Sequence, residues 1–262
     1  MFACKKVDKP ALGSYPPDIT LPGGPLRFYT SFDGNKGPFP RYDVGDSISG
    51  YPAIVDDFTT ITGVTGNAVQ GAAGAQLYYL DANDFVTTAQ SFTVAFWEKR
   101  NGMPNGEAEF IFSISSSNGY WAGTSMMLFF DHAGAGATND LAVLKFLLVD
   151  KTVSDAWLTW EGGNKISGIQ DNKWHHLVFA YDATTSKLTL YVDGVANANV
   201  PQWGSHGGVN LDASKVTSLK IGTRPKEDLG WGRSWTGGLD QFRLYNKALT
   251  ASEVLALFNS KL

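Results

Sequence analysis

From residue 26 to residue 246 the chain alternates apolar and polar positions in short runs, with the period of two that sets one row of side chains against a core. The clearest run is 91–99, where Phe92, Val94 and Phe96 share one face and Thr93, Ala95 and Trp97 the other. Residues 26–32, 109–115, 125–131 and 142–149 read the same way, each bounded by Gly, Asn or Asp. Residues 174–182 and 187–192 flank a turn at 182–186, Asp193-Gly194 supplies the next turn, and 238–246 forms a late strand. Helical patterning is confined to the end, where Thr250-Ala251-Ser252-Glu253 is a capping box opening a helix through Phe258. The pattern predicts an all-β sandwich of two antiparallel sheets with a short C-terminal helix.

Composition narrows the function. A chain of 262 residues suits one large β-domain, and 29 glycines with only 18% charged residues suit short strands and tight turns. A net charge of −4 argues against nucleic acid as a partner, which needs a clustered basic face. No apolar run has the length of a membrane-spanning helix.

The strands Trp174-His175-His176-Leu177-Val178-Phe179-Ala180-Tyr181-Asp182, Leu188-Thr189-Leu190-Tyr191-Val192-Asp193-Gly194 and Gly238-Leu239-Asp240-Gln241-Phe242-Arg243-Leu244-Tyr245-Asn246 carry a resemblance. In order and wording they are similar to the laminin-G-like branch of the concanavalin A-like jelly rolls. The likeness extends through residues 63–69 and 91–97 and covers nearly everything from residue 28 on, matching in pattern alone between 100 and 172. It implies a concanavalin A-like jelly roll over 26–262, and a family composed mostly of recognition modules. It also implies a Ca²⁺ site at the sandwich rim, where the turn Phe32-Asp33-Gly34-Asn35 meets the strand Gly238-Leu239-Asp240. The expected ligands are Asp33, Asn35 and Asp240, with Asp46 in second place; carboxylate and amide oxygens are the hard donors Ca²⁺ selects. The plainer alternative is that Asp33-Gly34 makes a turn and Asp240 bonds a loop.

The single cysteine, Cys4, stands ahead of a run holding Pro10, Pro16, Pro17, Pro22 and Pro25. Its setting resembles the lipidated cysteine of bacterial surface lipoproteins, with Met1 and Phe2 departing from the usual Leu and small residue. Residues 1–25 are then expected to be a lipid-bearing N-terminus and a semi-rigid spacer. The implied location is the surface of a bacterial outer membrane, reached through the lipid alone.

Some relatives with this jelly roll are glycoside hydrolases, whose chemistry needs two carboxylates flanking the scissile bond. Glu107-Ala108-Glu109 alternates but lacks the further acid of the family pattern, Glu227-Asp228 would diverge, and no nucleophile elbow occurs. The expectation is a protein that is not an enzyme. Among the eight tryptophans, Trp97, Trp174 and Trp235 read as core, whereas Trp121, Trp157, Trp160, Trp203 and Trp231 fall in Gly-, Ser- and Asn-rich stretches. Exposed indoles stack on the C–H faces of sugars, so Trp157, Trp160, Trp203 and Trp231, with Arg224 and Arg233, are the expected ligand-binding set. Burial beneath long loops is the competing role for each. Three functions follow. The first is recognition of a glycan or glycoconjugate for nutrient uptake. The second is a structural subunit of an outer-membrane transporter and its lipoprotein partner, without a sugar site. The third is a hydrolase with an unrecognised site.

Overall fold

The computed structural model describes residues 24–33, 42–45, 51–52, 55–80 and 85–261. In chain order its elements are β1 (Leu26–Thr30), β2 (Tyr42–Gly45), β3 (Tyr51–Pro52), β4 (Val55–Asp56), β5 (Thr59–Thr62), β6 (Asn67–Gln70), β7 (Leu77–Tyr79), α1 (Phe85–Thr88), β8 (Phe92–Asn101) and β9 (Ala108–Ser116). There follow β10 (Thr124–Asp131), β11 (Leu141–Val149), β12 (Asp155–Trp160), β13 (Ile166–Ser167), β14 (Asp171–Asp182) and β15 (Lys187–Val192). The chain closes with β16 (Val195–Ala196), β17 (Val216–Ile221), β18 (Gly232–Ser234), β19 (Gly238–Tyr245) and α2 (Ala251–Ser260).

Two sheets result. The first runs β16-β15-β14-β8-β19-β1-β2-β3 with the β5–β6 hairpin attached to β19, and the second runs β12-β11-β10-β9-β17-β7-β4. The pairings are antiparallel except that β18 joins β9 in parallel, a departure from the all-antiparallel expectation. The inner faces meet in a core that includes Phe92, Val94, Phe96, Phe112, Leu128, Phe146, Trp160, Phe179, Trp235 and Phe242. The expected partition of β8 holds: Phe92, Val94 and Phe96 face this core, while Ala95 belongs to a second cluster with Val178, Leu249 and Val254 on the outer face. Helix α2 covers that outer face, with Phe258 stacked on Trp97 at 5.6 Å. Its capping box is formed, Glu253 N–H donating to Thr250 Oγ1 at 3.3 Å and Thr250 N–H to Glu253 Oε2 at 2.9 Å. Asp193 and Gly194 turn with φ of 50° and 81°, which is why an Asp-Gly pair serves there. Cys4 and the proline-rich spacer lie outside the described residues.

Candidate functional site

On the second sheet, the residues that alternate with the core point outward, and a strap crosses them. Ser113 and Ser115 donate to the carbonyls of Thr223 and Pro225 at 3.1 and 2.9 Å, and Lys220 Nζ donates to the Pro225 carbonyl at 3.1 Å. These bonds tie the segment 222–235 across the outer face and bring Trp231 onto Phe110 and Phe129, with ring centroids 5.4 and 5.3 Å away.

Two more indoles reach the same place. Trp157 projects outward from β12 and meets Phe129 edge-on at 6.2 Å. Trp121, in the β9–β10 connection, lies 6.5 Å from Trp157 at an interplanar angle of 17° and 6.1 Å from Trp231. Trp121 and Trp157 remain 52% and 40% exposed, above an apolar base that includes Phe110, Met127, Phe129, Leu147 and Leu229. Tyr120 sits 5.6 Å from Trp121 and donates its hydroxyl to Asp155 Oδ2 at 2.6 Å. Burial, and then that bond to a carboxylate, push the Tyr120 phenol up to about 12. The result is an exposed aromatic platform held from three distant segments, with Asp155 as an acceptor at its margin.

The expected ligand set is thus brought together only in part. Trp157 and Trp231 join the platform. Trp160 does not: it is 0% exposed, packs edge-on against Phe179 and donates Nε1–H to the Asn199 carbonyl at 3.0 Å. Strand β12 explains the division, because an odd spacing sends two side chains to opposite faces. Trp203 is half-buried against the main core and stacks on His206 at 3.6 Å, beside the β14–β15 turn whose Ser186 carbonyl its backbone N–H meets. Arg233 is paired with Glu109 at 3.2 Å, and Arg224 donates to the Gly232 carbonyl and lies 3.5 Å from Glu227. Both guanidinium groups brace the strap. Trp121, left out of the expected set, is the most exposed indole of the platform. Only a three-dimensional contact with Trp157 marks it, although its Asn-Gly-Tyr-Trp-Ala-Gly setting already indicated an aromatic on a turn.

Two carboxylates on consecutive strands of the chain, Glu109 and Glu98, are engaged or enclosed. Glu109 is 1% exposed and accepts from Arg100, Arg233, and the Thr236 N–H and hydroxyl. Glu98 is fully buried, and desolvation holds its carboxyl well above the ordinary value.

At the rim, Asp33 and Asp240 converge on the turn 63–67. Asn67 N–H donates to Asp33 Oδ1 at 2.8 Å and Val64 N–H to Asp240 Oδ2 at 2.7 Å. Two glycines permit the approach. A Cβ at Gly63 would stand 2.5 Å from Asp240 Oδ2, and one at Gly66 would collide with Asp33 Oδ1. Asp240 Oδ1 is buried with no hydrogen-bond partner. Burial first, and Asp33 as a neighbouring negative charge, push the Asp240 carboxyl up to about 7 despite the backbone N–H it receives from Val64. An acceptor with spare lone pairs, facing a second carboxylate, suits a hard cation. Among the described residues no group of three or more His, Cys, Asp or Glu side chains is arranged to hold a metal ion, and the other expected ligands, Asn35 and Asp46, lie outside them.

Residues 73–255 match the laminin G family described as the concanavalin A-like lectin/glucanases superfamily, and the chain belongs to it. No curated protein matches the chain. Among solved structures, it is similar to the binding domain of Paraclostridial mosquitocidal protein 1, with a TM-score of 0.60, 14% identity, and coverage of 90% of this chain and 52% of that one. The binding domain of botulinum neurotoxin serotype D gives a TM-score of 0.59 at 13% identity, covering 90% of this chain and 52% of the other. A structure of botulinum neurotoxin type C, whose cell entry depends on interaction with two ganglioside molecules, gives 0.57 at 13% identity, covering 91% and 51%. The chain spans about half the length of these structures, and at such identities the likeness is one of fold.

Proposed function

We propose that this protein is a non-catalytic binding module that recognises a glycan, or a glycan-bearing molecule, through Trp121, Trp157 and Trp231. The observation that carries the reading is the convergence of three indoles from separate segments into one exposed cluster. Large exposed apolar clusters mark binding surfaces, and indole faces suit the C–H faces of pyranose rings. The ganglioside dependence of the type C neurotoxin is a precedent on this fold. Enclosure of Glu98 and the engagement of Glu109 by two arginines favour binding over hydrolysis.

In this reading a Ca²⁺ ion is held by Asp33 and Asp240, and it relieves the buried charge of Asp240 while stiffening the turn 63–67. Its contribution is to stability rather than to contact with the glycan. The setting remains as read from the sequence: lipidation at Cys4, a proline-rich spacer, and display on a bacterial outer membrane beside a transporter and its lipoprotein partner that import the bound material.

A glycan-array screen of the purified chain, paired with pull-down from detergent-solubilised membranes, tests the reading. Retention on at least one glycan family supports it. A blank array with robust co-purification of a transporter replaces it with the subunit role.

A further inference from the structure

A recess separate from the aromatic cluster lies at the end of β8, where the first sheet meets residues 236–237. Lys99 projects there from β8, since it alternates with the inward Phe96 and Glu98 and follows the phase of Ala95 and Trp97. In register beside it stand Trp174 on β14 and Gly238 on β19. Gly238 lets its neighbours close in: a Cβ there would lie 2.9 Å from the Trp174 ring, 3.2 Å from Ile61 Cδ1 and 3.4 Å from Lys99 Cβ. The hollow has a volume of about 410 Å³, with Ile61, Thr62, Gln70, Asn101, Asn172 and Thr236 around Lys99. That is the scale of a small-ligand site.

Thr236 and Arg100 are engaged with Glu109, but other polar groups of the lining are unspent. Among the described residues Lys99 Nζ makes no hydrogen bond, ion pair or ring contact, and the side-chain amides of Asn101 and Asn172 are equally free. Gln70 commits only its nitrogen, to the carbonyls of Gly71 and Thr236 at 3.2 and 2.6 Å, leaving its oxygen available. Among the described residues no carboxylate lines the hollow. By contrast, the half-buried Lys145, Lys220, Arg224 and Arg233 each have an oxygen partner. A half-buried lysine without a counter-ion among the described residues, bordered by exposed amides and hydroxyls, fits an anion that also carries hydroxyl groups.

We propose that this hollow binds a pyranose bearing a single carboxylate or sulfate, with Lys99 meeting the anion and Asn101, Asn172, Gln70 and Thr62 meeting ring hydroxyls. The site is separate from the aromatic platform and acts independently of it.

Titration calorimetry of the purified full chain with galacturonate, galactose 6-sulfate and neutral galactose tests this. At least one anionic sugar should bind saturably, with galactose weaker by about tenfold or more. Lys99→Gln should erase that difference. Should Lys99→Gln fail to fold, Asn172→Gly serves instead; it removes the amide, suits the φ of 66° at that position, and should weaken the anionic sugar several-fold. Absence of binding by both anions, equal binding of galactose, or wild-type affinity in the folded variant overturns the proposal.

Discussion

Trp121 and Trp157 lie nearly parallel, their ring centroids 6.5 Å apart, although one sits in a connection and the other on an edge strand. Neither is held by the main core, so both can lose their rings without opening it. Trp121→Ala or Trp157→Ala should each weaken glycan binding by about 2 kcal/mol, roughly thirtyfold, as truncation of an aromatic hot spot does. Melting temperatures should stay within a few degrees of the parent, measured by calorimetry on the same preparations.

Trp160 should behave in the opposite way. Trp160→Ala removes a fully buried ring and should cost about 3–5 kcal/mol of stability by urea denaturation. Trp160→Phe keeps most of the packing but leaves the Asn199 carbonyl without its donor, and should cost about 1–2 kcal/mol. Glycan affinity of the folded Trp160→Phe protein should equal that of the parent.

Two adjacent histidines should shape the pH dependence of stability with opposite signs. His175 bonds Asp193 at 2.8 Å and Asp171 at 2.9 Å, and chiefly the first of these pushes it up to about 9. Its stabilisation is complete below the unfolded value of about 6.5 and is lost as pH rises through about 9. Burial pushes His176 down to about 3, so its unfolded form takes up a proton first as pH falls. Its contribution is complete above about 6.5 and fades as pH falls toward 3. Melting temperature should therefore decline on both sides of neutrality, with His175→Gln flattening the alkaline limb and His176→Phe the acidic one.

Chelation should lower the melting temperature if Asp33 and Asp240 hold Ca²⁺, because an ion that binds only the folded state stabilises it by mass action. Asp240→Asn should remove the response to added Ca²⁺. In metal-free buffer it should cost little, since it replaces a buried charge with a neutral amide. A melting temperature indifferent to chelator would leave the turn 63–67 as the sole partner of these carboxylates.

The fold was legible because alternation along strands such as β8 is a local property, and Asp193-Gly194 and Thr250–Glu253 are local turn and cap signals. The aromatic site was legible only in fragments. Trp157 and Trp160 look equivalent as composition, yet the in-phase Ala156, Leu158 and Trp160 mark one inward face once the stretch is taken as a strand. Trp121 becomes a site residue only through its approach to Trp157 and Trp231, which no spacing encodes. The partners of Arg224 and Arg233 were hidden for a related reason: a guanidinium in a loop reads as free until the carbonyl and carboxylate it braces are brought to it.

The most direct test of the account is affinity electrophoresis through gels containing a polysaccharide identified on the array, comparing the parent chain with the Trp121→Ala/Trp157→Ala double variant. The account predicts that the parent is retarded and that the double variant, folded to the same melting temperature within a few degrees, migrates as in a gel without polysaccharide. Equal retardation of both proteins would contradict it.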